Sequence, residues 1–163
     1  MSANNLKESR AELLARRDLK GLDWCAEWSR QVDGWLASLF DSAAPDSGGG
    51  VALVAVGSYG RGTLAPGSDL DLVLIHDGKH KRIKDVADAI WYPIWDSGQP
   101  LDHSVRTVKE LRSAMDADIK VALGLLDARL IAGDPALGPS ALARAAELWQ
   151  TRTTKWLQFR NKR

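Results

Sequence analysis

The stretch Val54–Ile75, VAVGSYGRGTLAPGSDLDLVLI, constrains this chain more than any other part of it. Two short apolar runs, VALVAVG (Val51–Gly57) and LDLVLI (Leu70–Ile75), stand either side of a glycine-rich turn. Runs this short, bounded by glycine, read as a buried strand and its neighbour rather than as helices. Asp69 and Asp71 are separated only by Leu70. On a strand, residues i and i+2 share a side, so Leu70 and Leu72 turn one way and both carboxylates the other.

Two like charges side by side raise the proton affinity of at least one, unless a cation neutralises them. Magnesium suits such a pair, because it takes carboxylate oxygens and bridges them to substrate phosphates. The turn supplies the complementary feature. Gly57, Gly60 and Gly62 let the backbone approach a ligand closely, and successive amides there can hold phosphate oxygens. Ser58 adds a hydroxyl, and Arg61 adds a planar cationic fork suited to phosphate. Together these residues describe a nucleoside triphosphate site with Mg2+, whereas either half alone is also explained by turn geometry or by solvated edge acids. The turn is not the standard phosphate loop, which needs a lysine that is absent here. It also lacks the glycine spacing of a dinucleotide site.

The rest of the chain frames this element. Its 163 residues suffice for one domain with a real core, and its formal net charge of +1 gives no global field for nucleic acid or an anionic membrane. No signal peptide is evident, and no run approaches the roughly 18 apolar residues of a membrane span, so a cytoplasmic location is expected. The single cysteine, Cys25, lies among Trp24, Trp28 and Val32 and reads as a buried structural thiol. Residues 5–40 read as one long helix or two, with Gly21 as a joint, followed by a connection, Asp41–Gly50, with no element of its own. Ile83 to Trp95 gives a clear helical stripe, in which Pro93 predicts a kink or an early end. A third strand is expected around Leu101–Val108, then helices over 109–115, 118–131 and from Ser140 onward. The expected class is α/β (α+β): a small mixed β-sheet of three strands flanked by helices. Its parts are residues 1–50, a helical segment and flexible connection; 51–137, the core; and 138–163, a carboxyl-terminal helical segment.

At these residues the chain resembles the nucleotidyltransferase superfamily that includes DNA polymerase beta. More closely, it is similar to the amino-terminal catalytic domain of the bacterial PII uridylyltransferase/adenylyltransferase, a nitrogen sensor. Ala55 to Gly62, then Leu64, Pro66 and Ser68 to Leu72 carry that likeness, with Ser58 where the family more often has glycine. Trp95–Asp96, His103 to Thr107 and Arg129 to Asp134 extend it. The resemblance implies a nucleotidyltransferase fold and transfer of AMP or UMP from ATP or UTP to a tyrosine of the trimeric PII-type signal protein, releasing pyrophosphate. It implies that Asp69 and Asp71 hold magnesium, and that a third strand-borne carboxylate, best met by Asp102, completes the site and helps take the acceptor proton. Members resembling the actinobacterial branch imply ATP, although the turn and metal read phosphates common to both nucleotides. Full enzymes of this family also carry hydrolase and glutamine-sensing domains, which do not fit in this length, so the chain reads as a truncated piece of a longer enzyme.

Other residues admit two readings each. Asp96 is an alternative third carboxylate or a turn cap, and Asp77 reads as a solvated loop acid. His103 is structural or orients a phosphate. Arg106 faces Asp102, a phosphate or an internal ion pair. Tyr59 supports the loop or touches the nucleotide. His76 and His80 read as surface residues. The basic runs at His80–Lys84 and Arg160–Arg163 read as solvated. Another acceptor, whether small molecule, RNA or protein, or a regulatory fragment that binds nucleotide without turnover, are the competing functions.

Overall fold

Helices α1 (Ala3–Ala15) and α2 (Gly21–Ala43) lead into the sheet, with Gly21 at the expected joint. The computed structural model describes residues 3–44, 49–137, 146–147 and 150. Strand β1 (Val51–Ala55) is followed by a single-turn helix α3 (Gly57–Gly60), strand β2 (Leu70–His76) and helix α4 (Ile83–Asp96). Strand β3 (Leu101–Thr107), helices α5 (Val108–Ala117) and α6 (Ile119–Leu126), and strand β4 (Arg129–Gly133) complete the order. Apart from residues 146–147 and 150, which are helical, the expected helix from Ser140 lies outside the described residues, as does the segment Thr153–Arg163 with its basic end. So do residues 45–48 of the expected connection Asp41–Gly50, of which Asp41 to Ala43 in fact continue α2.

The sheet runs β3-β2-β1-β4 and is mixed, as expected. β1 pairs antiparallel with β2 and β4, whereas β2 and β3 run parallel. The fourth strand corrects the expectation of a helix reaching Ile131. After β2 occupies one edge of β1, its other edge still carries backbone donors and acceptors that need partners. Arg129 to Gly133 supply them, and α6 stops at Leu126. Pro93 does not end α4 early: it stands one turn from the end, where the Ser97 amide closes the helix on Pro93 and Ile94 carbonyls.

Alternation along the strands divides the core into two layers. Leu53, Leu70, Leu72 and Leu74 face α2 and α4, against Trp28, Val32, Trp35, Leu36, Ile90 and Ile94. On the opposite face Val54, Val73 and Ile75 pack on Leu111 and Met115 of α5 and on Ala122 and Leu125 of α6. The tryptophans explain why a short sheet suffices: truncating one such buried ring to alanine typically costs about 3–5 kcal/mol. Asp71 alternates onto the α5–α6 face but precedes Val73, at the strand end where that apolar covering gives out.

Candidate nucleotide and metal site

Four chain segments meet at one end of the sheet. The Val56 amide donates to the Asp71 carbonyl at 3.0 Å, so the glycine turn leaves β1 directly beside Asp71. Ala55, the last residue of β1, pairs with Leu72 on one side and Arg129 on the other. In the parallel ladder Asp71 stands opposite Asp102. Parallel neighbours in register project to the same face, so the two carboxylates lie side by side. Asp69 is exposed and sits just before the strand rather than on it, because Leu70 is the first strand residue.

The electrostatics agree with this placement. Asp71 is half-buried, and its carboxyl is held above the usual carboxylate range, first by burial and then by the negative fields of Asp102 and Asp69. A carboxylate that burial and neighbouring negative charge both disfavour is one that a divalent cation would relieve. Among the described residues no group of three His, Cys, Asp or Glu side chains is already arranged to hold a metal ion. Magnesium is often bound by one or two carboxylates with substrate oxygens completing the shell, and Asp71 with Asp102 in register beside it are the residues that would offer such carboxylates.

Gly57 has φ +60, and a Cβ built there would stand 2.6 Å from Asp71 Oδ2. The carboxylate thus rests on the turn itself, in space that only glycine leaves open. Gly60 serves packing: a Cβ there would collide with the Asp127 carbonyl and stand 3.0 Å from the Ala55 carbonyl. The first amides of such a turn have no acceptor within it, and Gly60 is the first whose amide is satisfied internally, on the Val56 carbonyl at 2.9 Å. Ser58 lies at the open part of the turn, its carbonyl accepting from the Thr63 amide and hydroxyl. Arg61 is half-exposed and ion-paired with Asp127 at 2.7 Å, so a phosphate would have to share it. Gly62 has φ +71 with open space around it.

Sequence reasoning offered loop support for Tyr59 but missed its partners beneath the turn. Tyr59 is fully buried and donates its hydroxyl to Asp33 Oδ1 at 2.6 Å, which decides for loop support over nucleotide contact. Arg129 forks onto the same carboxylate, at 2.6 Å to Oδ2 and 3.1 Å to Oδ1, and donates to the carbonyls of Tyr59 and Gly60 at 3.2 Å each. Partial burial disfavours the Arg129 charge, but the bonds to Asp33 outweigh it and hold the guanidinium above its ordinary value. One helical turn earlier, Ser29 Oγ accepts from the Leu64 amide at 3.1 Å. The available signal was Ser29 and Asp33 at i and i+4 on the apolar stripe of α2, polar residues where the helix buries its face.

The remaining candidates are structural. His103 packs its ring 5.0 Å from Trp91 and 5.4 Å from Trp95, on the α4 side of β3 and away from Asp102. Asp96 ends α4 exposed, while Ser97 makes the turn contacts there. Asp77 accepts from the Lys79 amide, a loop role. Arg106 is exposed, with Glu110 as its acidic neighbour. His76 and His80 are half-buried rather than surface residues, and Cys25 is half-buried against the core. Lys81, Arg82 and Lys84 are exposed, as expected of a solvated face.

The family model described as "Nucleotidyltransferase domain" matches residues 39–123, which contain the turn and all three aspartates. A bifunctional uridylyltransferase/uridylyl-removing enzyme of Streptomyces coelicolor is 54% identical over 129 residues, covering 77% of this chain and 15% of that protein. The enzyme of the same name from Mycobacterium tuberculosis strain H37Rv is 40% identical over 152 residues, covering 91% of this chain and 19% of that protein. The chain thus spans less than a fifth of the length of these curated relatives. A crystal structure of a toxin–antitoxin with AMP-PNP aligns at TM-score 0.47 and 14% identity, over 77% of this chain and 96% of that one. No helix among the described residues is long and apolar enough to cross a membrane.

Proposed function

The chain belongs to the nucleotidyltransferase domain family, and from that premise we propose that it transfers UMP or AMP from the triphosphate to a tyrosine hydroxyl of a PII-type trimeric signal protein. The observation that carries the reading is the placement of Gly57, at φ +60, against Asp71 with Asp102 in register beside it. It brings the backbone of a glycine turn and two adjacent carboxylates together at one strand end, an arrangement that supports triphosphate binding. That the relatives are uridylyltransferases supports nucleotidyl transfer and favours UTP as a donor.

In this reading the open amides of the turn, with the Ser58 hydroxyl, hold the triphosphate. Asp69, Asp71 and Asp102 would hold magnesium, which when bound neutralises charge on the leaving pyrophosphate and eases deprotonation of the acceptor. Asp102, exposed at the open edge of the sheet, is placed to accept the acceptor proton as the tyrosine oxygen bonds to the α-phosphorus. The bond from that phosphorus to the bridging oxygen breaks, and pyrophosphate carries away the electron pair.

The test presents the full chain with a PII-type signal protein, magnesium and equal ATP and UTP, followed by intact mass spectrometry. Addition of one nucleotide to a tyrosine is expected, and its mass names the base. Modification of another acceptor alone would overturn the choice of acceptor and keep the chemistry. Nucleotide binding without pyrophosphate release would overturn turnover itself.

A further inference from the structure

The glycine turn has little of its own to hold it. α3 is four residues long with glycine at both ends, far below the length at which a helix sustains itself. Ordering glycine carries a large entropic cost. Yet the position of this turn relative to Asp71 is what the proposed nucleotide site depends on. We infer that Arg129, with Asp33 and Tyr59, is the positioning device of that site: it fixes the turn so that the phosphate-binding backbone and the metal carboxylates keep one geometry. The inference rests on the nucleotide-site reading and deepens it.

Three features of the contact set support this. First, Arg129 bonds to the backbone of the turn, at the carbonyls of Tyr59 and Gly60, rather than to core side chains alone. Second, its other bonds go to Asp33 of α2, whose Oδ1 also receives the Tyr59 hydroxyl. One carboxylate therefore ties the only large side chain of α3 and the arginine to α2, which buries seven residues. Third, the guanidinium carbon lies 5.5 Å from the Tyr59 ring centroid, stacked over the residue it anchors. Arg129 is itself the first residue of β4 and pairs with Ala55, immediately before the turn. Only a planar guanidinium can serve two carboxylate oxygens and two carbonyls at once; a lysine ammonium has three donors and no fork.

The test compares Arg129→Lys, Tyr59→Phe and Asp71→Asn in the full chain. Circular dichroism establishes folding; amide hydrogen exchange reads the turn, and steady-state transfer reads KM for Mg-ATP and Mg-UTP. Arg129→Lys is expected to speed exchange over residues 57–63 selectively, leaving β1 and β2 protected. Its kcat/KM should fall about 10–100-fold, with a higher nucleotide KM, as displacement of a positioned group does. Tyr59→Phe should move both readouts the same way by less, and decides the matter if the lysine variant does not fold. A folded variant with unchanged turn exchange and unchanged KM, or with exchange raised evenly across the sheet, overturns the positioning role while Asp71→Asn still abolishes transfer. Near-normal transfer by folded Asp71→Asn overturns the site reading, and the inference with it.

Discussion

Replacing Gly57 with alanine tests whether the turn and Asp71 form one unit. The residue stands at φ +60, where an L side chain costs about 1–2 kcal/mol relative to glycine. Its new Cβ would lie 2.6 Å from Asp71 Oδ2 and 3.5 Å from Asp71 Cγ. The first contact is too short to survive, so the carboxylate must swing, at about 0.5–1.5 kcal/mol for an off-rotamer side chain. Together these give a loss of about 1.5–3.5 kcal/mol, measured as a shift in urea midpoint at constant m. A double-mutant cycle separates the parts. In an Asp71→Ala background the steric part vanishes and the backbone part remains, so a coupling of about 0.5–1.5 kcal/mol is expected between the two positions. Magnesium-dependent nucleotide binding should weaken in the folded Gly57→Ala chain, since both halves of the site are displaced. Unchanged stability with unchanged binding would refute the close contact. A full stability loss that persists in the Asp71→Ala background would refute its steric part and leave only backbone strain.

The raised Asp71 affinity for a proton has a definite sign. Its folded value lies above the unfolded one, so its favourable contribution is complete below the ordinary carboxylate range and is lost as pH rises through the folded value. Metal-free Asp71→Asn should therefore melt above the parent chain at pH 7 but not at pH 3, while losing about 100-fold or more in transfer; a lower melting temperature at pH 7 would contradict this. Asp102→Asn should leave the fold intact, because the residue is exposed, yet reduce transfer comparably, whereas Asp96→Asn should transfer normally. Tyr59 is held far above the usual phenol range, by burial first and then by the Asp33 charge. Its stabilising contribution persists below the unfolded phenol value and disappears as pH rises beyond it, so ultraviolet titration should show Tyr59 ionising only together with unfolding.

The strands and the turn that carry the candidate residues were legible along the chain because their logic is local. A strand's period of two assigns Leu70 and Leu72 to one face and Asp71 to the other whatever surrounds them. A run such as Val51–Gly57 is too short and too apolar for anything but a buried strand, and glycines are the residues that let a backbone sit against a carboxylate. Asp102 was singled out differently, through the family resemblance and the strand expected around Leu101–Val108, on which it stands second in β3.

What the tertiary structure alone decided are pairings between distant segments. Arg129 to Gly133 suits either a helix or a strand by composition, and the unfilled edge of β1 made it a strand. Asp71 and Asp102 became neighbours only through the parallel register of β2 and β3, which no spacing in the chain encodes. Asp33 and Arg129 stand 96 residues apart in sequence yet share two hydrogen bonds. Local pattern fixes which face a side chain takes, because that depends on backbone dihedrals a few residues long. Which charge meets which depends on closing long loops, and that is resolved only when the whole core packs.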